Sequence, residues 1–330
     1  MTALIGRTFL HPFFDYLLIG GGLSFVCTAL VYQRQDPLIG WNPQVLPLLI
    51  LLSNSAHFAA STVRLYTEPG TFQQHPYLTM AFPLASIVLL ASCIALPLQL
   101  GVHLQALYLT WSPYHYAAQA YGLAIIYCVR SGYSLTAVEK KIFRAICMLP
   151  FLLAFIGAPH AGLSWLAPSL HAVVPAMLRD VIISAVFLLP LAFFLYSYRR
   201  GPMPLIGLLA VLANGVWWVV LDYLSAFFWA TIFHGLQYLV IAAIFHIRDQ
   251  TALPENRRGP LYHAGRFYLL SLALGYGLFY CWPYAFVLTG FGLAESVLLV
   301  AAAINIHHFI VDARIWRLAP GDGNRAITAT

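Results

Sequence analysis

The chain is expected to be an all-α integral membrane protein, a polytopic bundle of about ten transmembrane helices, and three observations predict that class. Hydrophobic residues fill 61% of the 330 positions, charged residues only 8%, and mean hydropathy is +0.79. A soluble domain carries roughly 25% charged residues, so water is excluded as the solvent for most of this surface. The apolar positions fall in runs of about 20, the length that crosses a hydrocarbon core about 30 Å thick. The Lys and Arg residues fall between those runs with a strong bias to one side. The runs use up nearly the whole length, which leaves one membrane domain over 1–330 with a short cytoplasmic tail at 312–330.

The expected spans are 13–32, 44–63, 78–97, 104–128, 142–158, 180–198, 204–221, 224–246, 267–287 and 291–311. The first has only Arg7 ahead of it and no small-residue cleavage site, so it reads as a retained helix rather than a signal peptide. The second carries Asn54, His57 and Ser61, and the fourth carries His115 and Gln119, each set at helical spacing on one face. The fifth has a short apolar run, Phe151 to Phe155, followed by Pro159, Pro168 and Pro175. A re-entrant or surface segment is the alternative there, and the count ranges from 8 to 10 accordingly. The eighth carries His234, Gln237, Tyr238 and His246, and the tenth closes on Asn305, His307, His308 and Asp312.

Loop charge tests that count independently. With a cytoplasmic N-terminus, the inner loops hold Arg7, Arg64, Arg130, Lys140, Lys141, Arg144, Arg199, Arg200, Arg248, Arg257, Arg258, Arg266, Arg314, Arg317 and Arg325. Those are 15 of the 17 Lys and Arg, with Arg34 and Arg179 outside. An even number of helices with both termini cytoplasmic follows, in an expected bacterial cytoplasmic membrane. The net charge of +6 then reflects topology and anionic headgroups, not nucleic acid. The five cysteines share no C-x-x-C spacing, which argues against a disulfide framework or a zinc ribbon. No phosphate-binding loop, dinucleotide glycine pattern or G-x-S-x-G elbow is present.

Histidine inside hydrocarbon is costly and usually faces a bundle interior, where it binds metal or moves protons. His57, His115, His234, His246, His307 and His308 all fall on even-numbered spans, so they are candidate metal ligands. At 1.5 Å per residue, His57 lies roughly 10 Å before Arg64, and His307 and His308 roughly 9–10 Å before Arg314, a layer in the cytoplasmic half. His115 and His234 lie some 20 Å before the next arginine, and His246 nearer the surface. These offsets are compatible with one site or with two. His234 and His246 are about 18 Å apart along one helix, too far to share an ion. His11, His75, His103, His160, His171 and His263 fall in loops or at helix ends, where solvated positions account for them.

Several imidazoles with a carboxylate suit iron, zinc or manganese, and iron with open positions is the usual choice for activating O₂. One or two non-haem irons are expected, with Asp312 as a ligand or a nearby base. Gln119 and Tyr238 then serve as orienting groups. The set Ser55-Ala56-His57-Phe58, Phe233-His234 and His308-Phe-Ile-Val-Asp312 resembles the arrangement in the Brp/Blh carotene-dioxygenase family of polytopic membrane oxygenases. Trp111 to Gly122 falls outside that resemblance, and the H-x-x-H-H boxes of membrane desaturases are absent. The resemblance implies an iron-dependent oxygenase acting on a lipophilic small molecule with O₂ and an electron donor, rather than carotene cleavage itself. Two other classes fit the same residues. In one, His115 and His234 ligate a haem from both faces of an electron-transfer protein or complex subunit. In the other, the polar stripes line the path of a proton-coupled transporter.

Overall fold

In hydrocarbon a lone span has to satisfy its backbone N–H and C=O groups within itself, which makes helix its only local solution. The computed structural model describes residues 2–33, 45–67 and 71–315. Every regular element among them is helical. The longer ones are α1 (Pro12–Ile19), α2 (Gly22–Gln33), α3 (Val45–Thr67) and α4 (Tyr77–Ala95), then α5 (Val102–Arg130), α6 (Ala137–Cys147) and α7 (Leu149–Gly157). They continue as α8 (Ala176–Arg200), α9 (Leu205–Val220), α10 (Tyr223–Thr251), α11 (Pro260–Val287) and α12 (Leu293–Ile315).

Among the described residues, α3, α4, α8, α10, α11 and α12 are long and apolar enough to cross a bilayer. The chain is a multi-pass membrane protein on that ground. The expected first span is instead a pair, α1 and α2, bent by 49°. Gly21 sits at the bend with φ +84°, a left-handed conformation that glycine adopts without strain. The expected fifth span is two helices that divide at Met148. The second of them, α7, has nine residues, about 14 Å, and cannot cross alone. Arg34, Arg317, Arg325 and the proposed tail beyond residue 315 lie outside the described residues.

The contacts divide the chain into two compact units. One comprises residues 2–33 and 112–237. Its helix α9 packs on α8 and α2. Buried Asp15 accepts hydrogen bonds from the Phe9 N–H (2.6 Å), the Leu10 N–H (3.0 Å) and the Tyr127 hydroxyl (2.7 Å), fastening the N-terminal segment to α5. A capping box between Thr136 and Glu139 starts α6, and Arg144 on α6 donates to the Tyr114 hydroxyl at 3.2 Å, next to His115.

The other unit comprises residues 45–67, 71–111 and 238–315. Tyr66 near the end of α3 donates to the Thr79 carbonyl near the start of α4, so those helices are antiparallel. Phe82 stacks on His307, and Gly101, beyond the end of α4, approaches Leu299. Helix α12 is therefore also antiparallel to α4, and α3 and α12 run in the same direction. Helix α11 approaches α3 at a glycine: a Cβ on Gly275 would lie 2.5 Å from the Ser55 carbonyl oxygen. That contact holds the π turn Leu51–Ser55 of α3, immediately before His57.

Replacing Gly275 by valine would force α11 away from this turn. The expected cost is about 1–3 kcal/mol, read as a lower unfolding temperature in detergent. An unchanged temperature would show that the close approach carries no stability.

Candidate metal centre

Helices α5 and α10 supply the first pair of ligands. His115 and His234 face each other with ring centroids 4.9 Å apart. Tyr116 lies over His234 at 4.4 Å, and its hydroxyl is hydrogen-bonded to Thr231 at 2.7 Å. Gln119, one turn beyond His115, donates to the His234 carbonyl at 3.2 Å. That bond ties α5 to α10 at the level of the imidazoles.

Helices α3 and α12 supply the second pair. His57 and His308 have ring centroids 4.4 Å apart at an interplanar angle of 77°. Ser61, one turn after His57, places its Oγ 2.8 Å from His308 Nδ1 and donates its single proton to the Phe58 carbonyl at 3.1 Å. With the Ser61 proton on the Phe58 carbonyl, Ser61 would accept from Nδ1–H and leave the lone pair of His308 on Nε2, the tautomer a metal takes. Phe58 packs on His308 at 4.8 Å. Tyr238 packs on His57 at 4.6 Å and on His308 at 5.5 Å. The Tyr238 hydroxyl donates to Asp312 Oδ1 at 2.6 Å.

Tyr238 and His234 are one turn apart on α10, so the residue packed on the second pair follows directly after a member of the first. His57, His115, His234 and His308 are all buried, and each offers a ligand nitrogen within 4.8 Å of the others. Around one ion at about 2.1 Å, two nitrogens stand at most about 4.2 Å apart, so the longest separation has only about 0.6 Å to close. The donor set fits a metal ion. Four imidazoles suit a borderline transition metal and not magnesium or calcium, which take oxygen ligands.

Of the nine residues singled out from sequence, the group holds four. His307 stacks on Phe82 at 4.8 Å and 11°, and His246 stacks on Phe267 at 4.6 Å. Neither belongs to the group. Asp312 does not belong either; its Oδ1 accepts from the Tyr238 hydroxyl. Gln119 reaches the backbone of His234, not its ring. His263, expected in solvent, is buried, with Nε2 2.9 Å from Asn256 Oδ1.

The arginine offsets set His115 and His234 about 10 Å deeper than His57 and His308, yet all four share one group. Helices α5 and α10 each have 29 residues, about 43 Å, longer than the hydrocarbon core. Counting back from a terminal arginine on such helices overstates depth. Phe58 entered the sequence reading only as a neighbour of His57 and Tyr116 not as a site residue, since each acts across helices and no spacing within one helix marks its contact. No family model, curated protein or solved structure matches the chain.

Ser61→Ala removes the hydrogen-bond partner of His308 Nδ1. The expected result is metal affinity lowered about 10- to 100-fold with the fold intact, measured by chelator competition. Affinity equal to the parent protein would mean that Ser61 does not orient a ligand.

Proposed function

We propose that this chain is a metal-dependent membrane oxidoreductase, an iron oxygenase without haem, that acts on a lipophilic small molecule. The observation that carries the reading is the buried group of four imidazoles. An iron ion held by four nitrogens keeps open coordination positions, and the chemistry it supplies there is activation of O₂. The metal identity, the oxygenase activity and the electron donor belong to this reading, as does the likeness to the Brp/Blh carotene-dioxygenase arrangement.

The chain's own residues have separable tasks. Ser61 engages His308 Nδ1 and would leave Nε2 for the metal. Tyr238 fills the space beside His57 and His308, and Asp312 holds its phenolic proton. That pair is a proton donor and acceptor next to the ligands, the arrangement general acid–base chemistry needs. The apolar helices around the group keep out bulk water, which strengthens every polar interaction inside and protects reactive species. His57 precedes Arg64 by about 10 Å and His308 precedes Arg314 by about 9 Å along their helices, which supports a site in the cytoplasmic half of the bilayer, open to substrate from lipid.

Geometry favours a bare ion over haem. A haem ligated by His115 and His234 from both faces needs their nitrogens opposed about 4 Å apart and their ring centroids about 6 Å apart, with the macrocycle between. The centroids are 4.9 Å apart, at 76°.

Elemental analysis of the detergent-purified protein, with its visible spectrum, tests the reading. About one iron per chain without a Soret band is expected. Alanine at His57, His115, His234 or His308 should lose the iron, and alanine at His246 or His307 should keep it. A Soret band, a metal-free protein, or iron retained after all four substitutions would overturn the proposal.

A further inference from the structure

Helices α6 and α8 leave between them an open groove of about 470 Å³, lined by none of the four histidines. Sites for small molecules occupy about 300 to 1,000 Å³. The walls of the groove follow from helical spacing. On α6, Val138, Ile142 and Ile146 recur every four residues and form one apolar stripe. On α8, Leu189, Ala192 and Phe193 form the facing one, and Ala192 is the short side chain that leaves room between them. Phe143 stacks on Phe193 at 4.7 Å and 11°, which holds the two helices together beside the groove. Val138, Ile142 and Leu189 are exposed along it.

One end of the groove is polar. Glu139 of α6 accepts from Arg200, the last residue of α8, and Phe143, one turn after Glu139, meets Phe193, two turns before Arg200. The two helices are therefore antiparallel, and the groove follows α8 for the eleven residues from Arg200 to Leu189, about 16 Å. Helix α8 is long and apolar enough to span a bilayer. Basic residues at the end of a span mark the membrane surface, so the groove has its mouth at headgroup level and its apolar body in the hydrocarbon. The mouth is built for an anion. Arg200 is half exposed, and its Nη1 donates to Glu139 and to the Tyr196 hydroxyl. Among the described residues no acceptor reaches its Nε or Nη2, the edge of a guanidinium that takes two phosphate oxygens at once. Glu139 Oε2 is engaged by the Thr136 N–H at 2.8 Å. Lys141, exposed three residues after Val138 on the same side of α6, leaves the mouth with one net positive charge.

We infer that this groove binds an anionic phospholipid, with its phosphate on the Nε and Nη2 edge of Arg200 and one acyl chain between the two apolar stripes. The charge of the mouth matches the headgroup, the length and polarity of the body match the chain, and the bilayer supplies the ligand. The site is independent of the metal reading and stands whether or not the histidines hold iron.

The test is photo-labelling of the full-length protein in phosphatidylcholine nanodiscs by a trace of phosphatidylglycerol that carries a diazirine midway along one acyl chain. Label should be several-fold denser on peptides that hold residues 138–146 and 189–196 than on α4 and α11, which also expose apolar side chains. The same probe with a phosphatidylcholine headgroup should label the groove about fivefold less, the effect of one net cation at an anionic headgroup. Arg200→Gln leaves Glu139 and Lys141 in balance and should bring the two probes within about twofold of each other. Ala192→Phe fills the groove but keeps the cations, and should remove the label of both probes. Millimolar inorganic phosphate should displace neither, because it lacks the chain. Equal labelling by the two headgroups overturns the inference, as does label no denser in the groove than on α4 and α11, the result expected where a second copy of the chain covers it. A headgroup preference that survives Arg200→Gln, label that survives Ala192→Phe, or displacement by phosphate overturns it too. The comparisons of headgroup and of position use the parent protein, so they decide even where a variant fails to fold.

Discussion

A polar atom inside hydrocarbon has to be given a partner, and this chain meets that requirement repeatedly at one level of its helices. Four imidazoles converge there. The bonds around them are made by residues on the same or the neighbouring helix: Ser61 with His308, Gln119 with the His234 carbonyl, Tyr238 with Asp312. Each bond also fixes how two helices meet. Ser61 and His308 set α3 against α12, and Gln119 sets α5 against α10. In a water-soluble core the apolar surface drives helix association, but between lipid-covered helices close packing and interhelical hydrogen bonds carry more of it. The polar layer and the helix packing are thus one device.

How much of this was legible in the sequence depends on whether a property is local or shared. The membrane class was legible because the length and polarity of a run are properties of one segment. The bend between α1 and α2 and the division of α6 from α7 were harder, since Gly21 and Met148 interrupt runs whose composition stays apolar. The candidate histidines were legible as a set of six because each is out of place in its own helix. Which four converge was not, because His307 and His308 are adjacent in sequence and only the packing of α12 decides that His308 turns toward His57 and His307 toward Phe82. A rotation of 100° between neighbours separates a ligand from a packed ring.

The same geometry accounts for the role of Asp312. Spacing of four residues put it on the face of His308, which made it a candidate ligand or nearby base. The intervening turn instead brings it beneath Tyr238, whose hydroxyl it holds at 2.6 Å. Tyr238 is thereby fixed against both His57 and His308. The carboxylate thus holds a phenol in place beside the histidine pair.

That displacement has an electrostatic consequence for any ion the four imidazoles hold. Neutral ligands cancel none of its charge, whereas a bound carboxylate would cancel one unit. Asp312 lies one helical turn from His308 along α12, so its carboxylate would attract a cation held by the imidazoles without being a ligand to it. That attraction would be exerted from outside the four-histidine group. The ion would then keep both its full Lewis acidity and its open positions, the two properties a carboxylate ligand would reduce. A negative charge one residue layer away, with Tyr238 between, would let the site retain a cation and still leave it open positions, in a medium where an uncompensated dication is costly.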